Sequence, residues 1–155
     1  MQTIIYKRIT TTELARIKPL WIELNQIHLA DSVYFKEHYT HFSFEERIRS
    51  WVNIPEKNFH MLVAETEDST LVGYCISTIG ENRNGEIDSL FVSDAFRKQG
   101  IGTVFMKKSM EWLLTNQCKP IRLSVSYGHE KVFGFYQQLG LFPRLTILEL
   151  KNTVT

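Results

Sequence analysis

The chain has 155 residues, 43% of them hydrophobic and 23% charged, with a formal net charge of +1. That length suits a single domain over residues 1–155 with one packed core, and the near-zero charge leaves no nucleic-acid footprint. No apolar run approaches membrane-spanning length, MQTIIYKR is too short for a signal peptide, and Cys75 and Cys118 form no motif, so a reduced cytoplasmic setting is expected, with neither membrane nor disulfide framework.

Thr3 to Ile9 alternates enough to be a first strand. Thr10-Thr11-Thr12-Glu13 supplies N-cap candidates for a helix, whose stripe is Leu14, Ile17, Trp21 and Leu24 at three- and four-residue steps. Pro19 predicts a kink or short break in it. His28 falls next on the same stripe, either as a partly buried helix-end histidine or as a residue facing a substrate pocket. The segment from Asp31 to Phe42 is rich in aromatic residues and histidine. Its Tyr34, Phe35 and Tyr39 are candidates to line an acceptor site, with cation–π contact open to an amine. His38-x-x-His41 lacks a Cys or acidic partner at ligand spacing, so no metal is expected. Ser43-Phe44-Glu45-Glu46 has the capping-box pattern and predicts a helix through Phe44, Ile48 and Trp51.

Phe59 to Thr66 and Leu71 to Ile79 read as a hairpin around Glu67-Asp68-Ser69. A polar loop leads to a strand from Glu86 to Val92, a turn from Ser93 to Phe96, and a long helix beginning within Arg97-Lys98-Gln99-Gly100-Ile101-Gly102. The apolar arc of that helix is Ile101, Phe105, Met106, Met110, Trp112 and Leu113. Ile121 to Ser126 reads as a strand, Lys131 to Leu139 as a helix stopped by Gly140, and Leu145 to Leu150 as a final strand. The long helix and the strands beside it would make a right-handed parallel crossover if those strands are neighbours.

Two glycines a residue apart at a helix entrance cost backbone entropy. Close approach of a ligand gives them a use: first-turn N–H groups and the helix dipole favour an anion, and Arg97 and Lys98 add full charge at the same spot. A P-loop would need a longer Gly spacing followed by Lys and Ser or Thr. A dinucleotide fingerprint would need a third glycine where Phe105 stands. The remaining pattern, Arg-x-x-Gly-x-Gly after a strand, resembles the pyrophosphate loop of the GCN5-related N-acetyltransferases, the GNAT superfamily. A second stretch, from Val132 to Phe142, resembles that family's later motif: Phe135-Tyr136 and Gly140 match. His129 stands where Asn is common, Val132 where Ala is common, and Leu141 where Phe is common. The resemblance runs from about Phe59 to Leu150.

The resemblance implies an α/β (α+β) GNAT-like fold: a mixed central sheet of six to seven strands, flanked by about four helices, with splayed central parallel strands. It implies acetyl transfer from acetyl-CoA, as co-substrate and without a metal, to a primary amine by direct attack in a ternary complex. The pyrophosphate would meet the backbone of Gln99, Gly100, Ile101, Gly102 and Thr103, with Arg97 and Lys98 nearby. The pantetheine would lie along Leu90, Phe91 and Val92, with the Val92 N–H polarising the thioester carbonyl. His129 and Tyr136 complete the implied cofactor contacts.

Glu86 lies eleven residues before Arg97, the spacing of the glutamate base in the histone-acetylating branch. Asp88 shares its strand face, so the two carboxylates either serve as base or simply attract a cationic substrate, and the resemblance implies Tyr136 as the acid for the departing thiolate. The acceptor is a small-molecule or protein amine, and a homodimer is implied at family level. A non-catalytic acyl-CoA-binding sensor is the alternative from another class.

Overall fold

The computed structural model describes residues 1–151. Five strands form one sheet in the order β1-β2-β3-β4-β5: β1 (Ile4–Ile9), β2 (Phe59–Thr66), β3 (Leu71–Ile79), β4 (Gly85–Val92) and β5 (Ile121–Leu123). The first four pair antiparallel. Only β4 and β5 are parallel, over the three pairs Gly85↔Ile121, Glu86↔Arg122 and Ile87↔Leu123. Five α-helices flank the sheet among the described residues: α1 (Lys18–Asp31), α2 (Lys36–His41), α3 (Phe44–Arg49), α4 (Ile101–Thr115) and α5 (Phe133–Gln137).

Every residue of β2 is buried, because both faces of the sheet are covered. On one face Phe59, Met61, Val63, Tyr74 and Ile76 meet Leu20 and Trp21 of α1 and Phe44 of α3. On the other, Leu62, Ala64, Val72 and Cys75 meet Ile101, Phe105, Met106 and Leu113 of α4. Alternating side chains thus feed two cores, the pattern of a sheet layered between helices.

Local chemistry sets the helix limits. A 3-10 turn over Thr11–Ile17 precedes α1, which restarts with Pro19 in its first turn. The expected break therefore falls just before the proline, where a missing N–H is harmless. Ser43 Oγ accepts the Glu46 N–H at 3.1 Å, capping α3. That helix ends at Arg49, short of the expected Trp51.

Two expectations need correction. The aromatic segment forms α2, making five helices rather than about four; its aromatic rings pack on α1, as Trp21 against Phe42. The expected final strand over Leu145 to Leu150 has no ladder partner. The sheet therefore has five strands among the described residues rather than six to seven. The segment carries no assigned secondary structure, and Leu145, Ile147, Leu148 and Leu150 are exposed at 62–93%. A strand exists by its neighbours, and the sheet edge at β5 is only three residues long.

Candidate active site

The site forms where the sheet opens. Parallel pairing stops at Ile87↔Leu123. One residue later β4 carries a bulge: Ile76 pairs Ser89 and Ser77 pairs Ile87, leaving Asp88 as the extra residue. Bulges re-aim side chains and end pairing. Beyond this point the β5-facing backbone of β4 has no strand partner. The Ser93 N–H bonds the Val72 carbonyl on β3 at 2.8 Å. By alternation the N–H groups of Leu90 and Val92 therefore point to the open side.

At the bulge, Asp88 Oδ2 accepts from Trp51 Nε1 at 3.1 Å and Oδ1 from Thr78 Oγ1 at 3.0 Å. Burial nonetheless raises its pKa. Arg47 donates to the Asp88 carbonyl at 3.0 Å and stacks over Trp51 at 4.2 Å. Asp88, Ser89 and Leu90 form one wall of a cavity of about 230 Å³. Trp21, Asn25 and His28 of α1 form the second wall, with Tyr39 of α2 beside them. Ser124 and Ser126, then His129, Val132 and Tyr136, close the third.

Two contacts tie the walls together. Tyr39 Oη and Ser126 Oγ are 2.6 Å apart, and His129 Nδ1 lies 2.6 Å from Asp31 Oδ2. His28 and His129 meet edge to face, with ring centroids 5.2 Å apart. Burial, with His129 adding to it, lowers the His28 pKa to about 4. Burial also pushes the Tyr136 hydroxyl up to about 12, so it remains protonated through neutral pH.

The loop before α4 is shaped for an anion. Lys98 and Gly100 both take positive φ, 60° and 84°. A Cβ at Gly100 would meet nothing within 4 Å, so that glycine answers to backbone conformation and open approach. Gly102 answers to packing: a Cβ there would lie 3.2 Å from the Phe135 ring. Intrahelical bonding begins with the Val104 N–H on the Gly100 carbonyl at 3.0 Å, leaving the Ile101, Gly102 and Thr103 N–H groups free at the positive end of a 15-residue helix. Arg97 is tied back to the Val92 carbonyl at 2.9 Å and to Asp94 at 3.3 Å, joining the loop to the open end of β4. A phosphate-bearing chain laid from this loop along β4 meets the N–H groups of Ile101, Gly102 and Thr103 and then those of Val92 and Leu90, so the residues present fit CoA.

Of the expected residues, His28, Tyr39, Asp88, Leu90, His129 and Tyr136 come together around the cavity. Glu86 is exposed at the start of β4, outside the lining. Tyr34 is 58% exposed and stacks on Tyr127. Phe35 is half-buried and, like Tyr34, outside the lining. Phe91 is buried in the core beneath Arg97, with its backbone turned to β3 opposite Tyr74; Val92 packs its side chain toward α4 and meets the open edge through backbone. Asn25, Asp31, Arg47 and Ser126 escaped the sequence reading. Each acts through a partner distant in the chain, and no local pattern marks it.

Residues 21–141 match the acetyltransferase (GNAT) family, and the chain belongs to that family. The chain is 34% identical over 93 residues to the mouse (Mus musculus) thialysine N-epsilon-acetyltransferase, covering 53% of this chain and 55% of that protein. It thus spans about half the length of the curated relatives it matches. Its fold is shared with an aminoglycoside acetyltransferase from an uncultured soil metagenomic sample, solved with sisomicin (TM-score 0.69, 15% identity, 98% and 97% of the two chains covered). It is shared also with an aminoglycoside N-acetyltransferase solved with CoA (TM-score 0.64, 12% identity, 99% and 96% covered). No helix among the described residues is long and apolar enough to cross a membrane.

Proposed function

We propose that this protein transfers the acetyl group of acetyl-CoA to the amine of a small molecule by direct attack in a ternary complex. The observation that carries this is the opening of β4 from β5, with an anion-suited loop at one end and an acid-walled cavity at the other. The names of the relatives support an amine acceptor, thialysine and aminoglycosides being amines. A cavity of about 230 Å³ suits an amine-bearing arm rather than a whole drug-sized ligand.

Acetyl-CoA supplies an activated acyl group. The loop from Arg97 to Thr103 holds its pyrophosphate, and the Val92 N–H polarises the thioester carbonyl. Asp88, the carboxylate on the cavity wall, holds the ammonium, and Glu86 adds negative field from the same strand. Tyr136 is the proton donor to the thiolate. Cys75 and Cys118 are buried free thiols, and burial raises Cys75 to about 11; neither is a nucleophile in this scheme. The test is calorimetry with CoA, followed by thiol release from acetyl-CoA over an amine panel. Saturable, amine-dependent release is expected. CoA binding with no release under any amine would instead make the chain an acyl-CoA sensor.

A further inference from the structure

An ammonium held by Asp88 is anchored but not activated. A carboxylate beside it stabilises the charged form and opposes loss of the proton. Carboxylates near pKa 4 are also poor proton acceptors from an amine near about 10.4; an imidazole near about 6.5 is closer to the working pH. The cavity contains an imidazole. His129 lines it and is held by Asp31, 98 residues away in the chain, at 2.6 Å. Acceptance by Asp31 Oδ2 requires Nδ1–H, which leaves the His129 Nε2 lone pair free.

The backbone is built to make this contact. Gly128 has φ +102°, and a Cβ there would lie 2.0 Å from the Asp31 carbonyl oxygen. Only glycine lets the loop approach α1 that closely. The charged and titratable groups around His129 are Asp31 and His28 on α1, Tyr39 on α2, and Tyr127, Glu130 and Lys131 on its own segment. Lys131 Nζ also reaches Asp31 Oδ2 at 3.1 Å, and Glu130 is occupied with the Gly128 N–H at 2.9 Å. His28 stays neutral at pH 7, its pKa being about 4, so it does not compete for the proton.

We propose that His129, oriented by Asp31, accepts the proton of the bound ammonium and passes it to solvent. This rests on the acetyl-transfer reading. The N–H proton goes to His129 Nε2, and the freed amine lone pair forms the C–N bond as the C–S bond breaks. The second amine proton ends on the thiol through Tyr136, so the sum is amide, free thiol and one proton released. His129 is the catalytic residue, and Asp31 and Gly128 are positioning residues.

The experiment compares wild type, His129→Asn, His129→Gln and Asp31→Asn. In wild type, kcat/KM with the best amine should fall on the acidic side as Nε2 is protonated. His129→Asn should remain folded and still bind CoA, lower kcat by about 10²-fold, and lose that acidic limb. His129→Gln should do the same. Asp31→Asn should move the limb to lower pH, a change that a merely structural role would not produce. Histidine NMR of the unliganded protein should show the Nδ1–H tautomer at His129, lost in Asp31→Asn. An Nε2–H tautomer in wild type, or a His129→Asn enzyme with the wild-type pH profile and turnover, would overturn the proposal. A wild type that binds CoA but acetylates nothing overturns the acetyl-transfer reading, and this proposal with it.

Discussion

His60, on β2, is a buried histidine with no part in the site. It stacks on Trp112 at 4.9 Å and 19°, and its Nδ1 has no hydrogen-bond partner among the described residues. Burial, helped by Arg8 and Lys108, lowers its pKa from 6.5 to about 4. Below pH 6.5 the unfolded chain takes up a proton that the folded chain refuses. Its contribution is therefore fully present above 6.5 and lost as pH falls toward 4. The gap corresponds to roughly 3 kcal/mol at most. His60→Phe keeps the stack and removes the titration. Urea midpoints measured from pH 7 to 4 should fall less steeply in the variant than in wild type. Parallel curves would show that His60 is not protonated on unfolding.

Between elements, the two glycines of the α4 entrance divide their work. Gly100→Val strains a left-handed residue, at about 1–2 kcal/mol, and places a side chain in the anion's approach. Gly102→Val displaces Phe135, which a Cβ would meet at 3.2 Å. Calorimetry should show both variants folded, with CoA affinity reduced at least about tenfold, or 1.4 kcal/mol; undiminished binding would sink the loop assignment. In the proposed scheme, acceptor recognition falls to α1 and α2. Tyr39→Ala removes the Tyr39–Ser126 contact and should raise the amine Michaelis constant well above any change in that for acetyl-CoA. Tyr34→Ala, outside the cavity lining, should change it less.

These cases mark what sequence can carry. The Gly100-x-Gly102 loop is local, so its spacing, its cations and its place between strand and helix are legible in the sequence; that Gly102 faces Phe135 is not. The bulge at Asp88 depends on how β3 registers against β4, and the His129–Asp31 pair on a loop meeting a helix end 98 residues away. The apolar content of Leu145 to Leu150 reads as a strand, but a strand needs a ladder partner, and this segment has none in the sheet.

For the whole molecule, the architecture turns on one break. β4 keeps its antiparallel partner on one side to its end, at Gly73↔Val92, and loses its parallel partner after Ile87. α4 packs on β3 and β4 behind the break and presents its N-terminus at the open edge, while α1 and α2 roof the far end. The anion-suited loop, the open strand and the cavity at Asp88 thereby share one edge of the sheet. The most direct test of that alignment is free-thiol release from acetyl-CoA across a polyamine, an aminoglycoside and an amino acid, with the acetylated amine quantified by mass spectrometry. Release that depends on the amine, saturates in both substrates and matches acetylated amine one for one is the predicted result. CoA binding at the Gly100 loop with no amine-dependent thiol would contradict it.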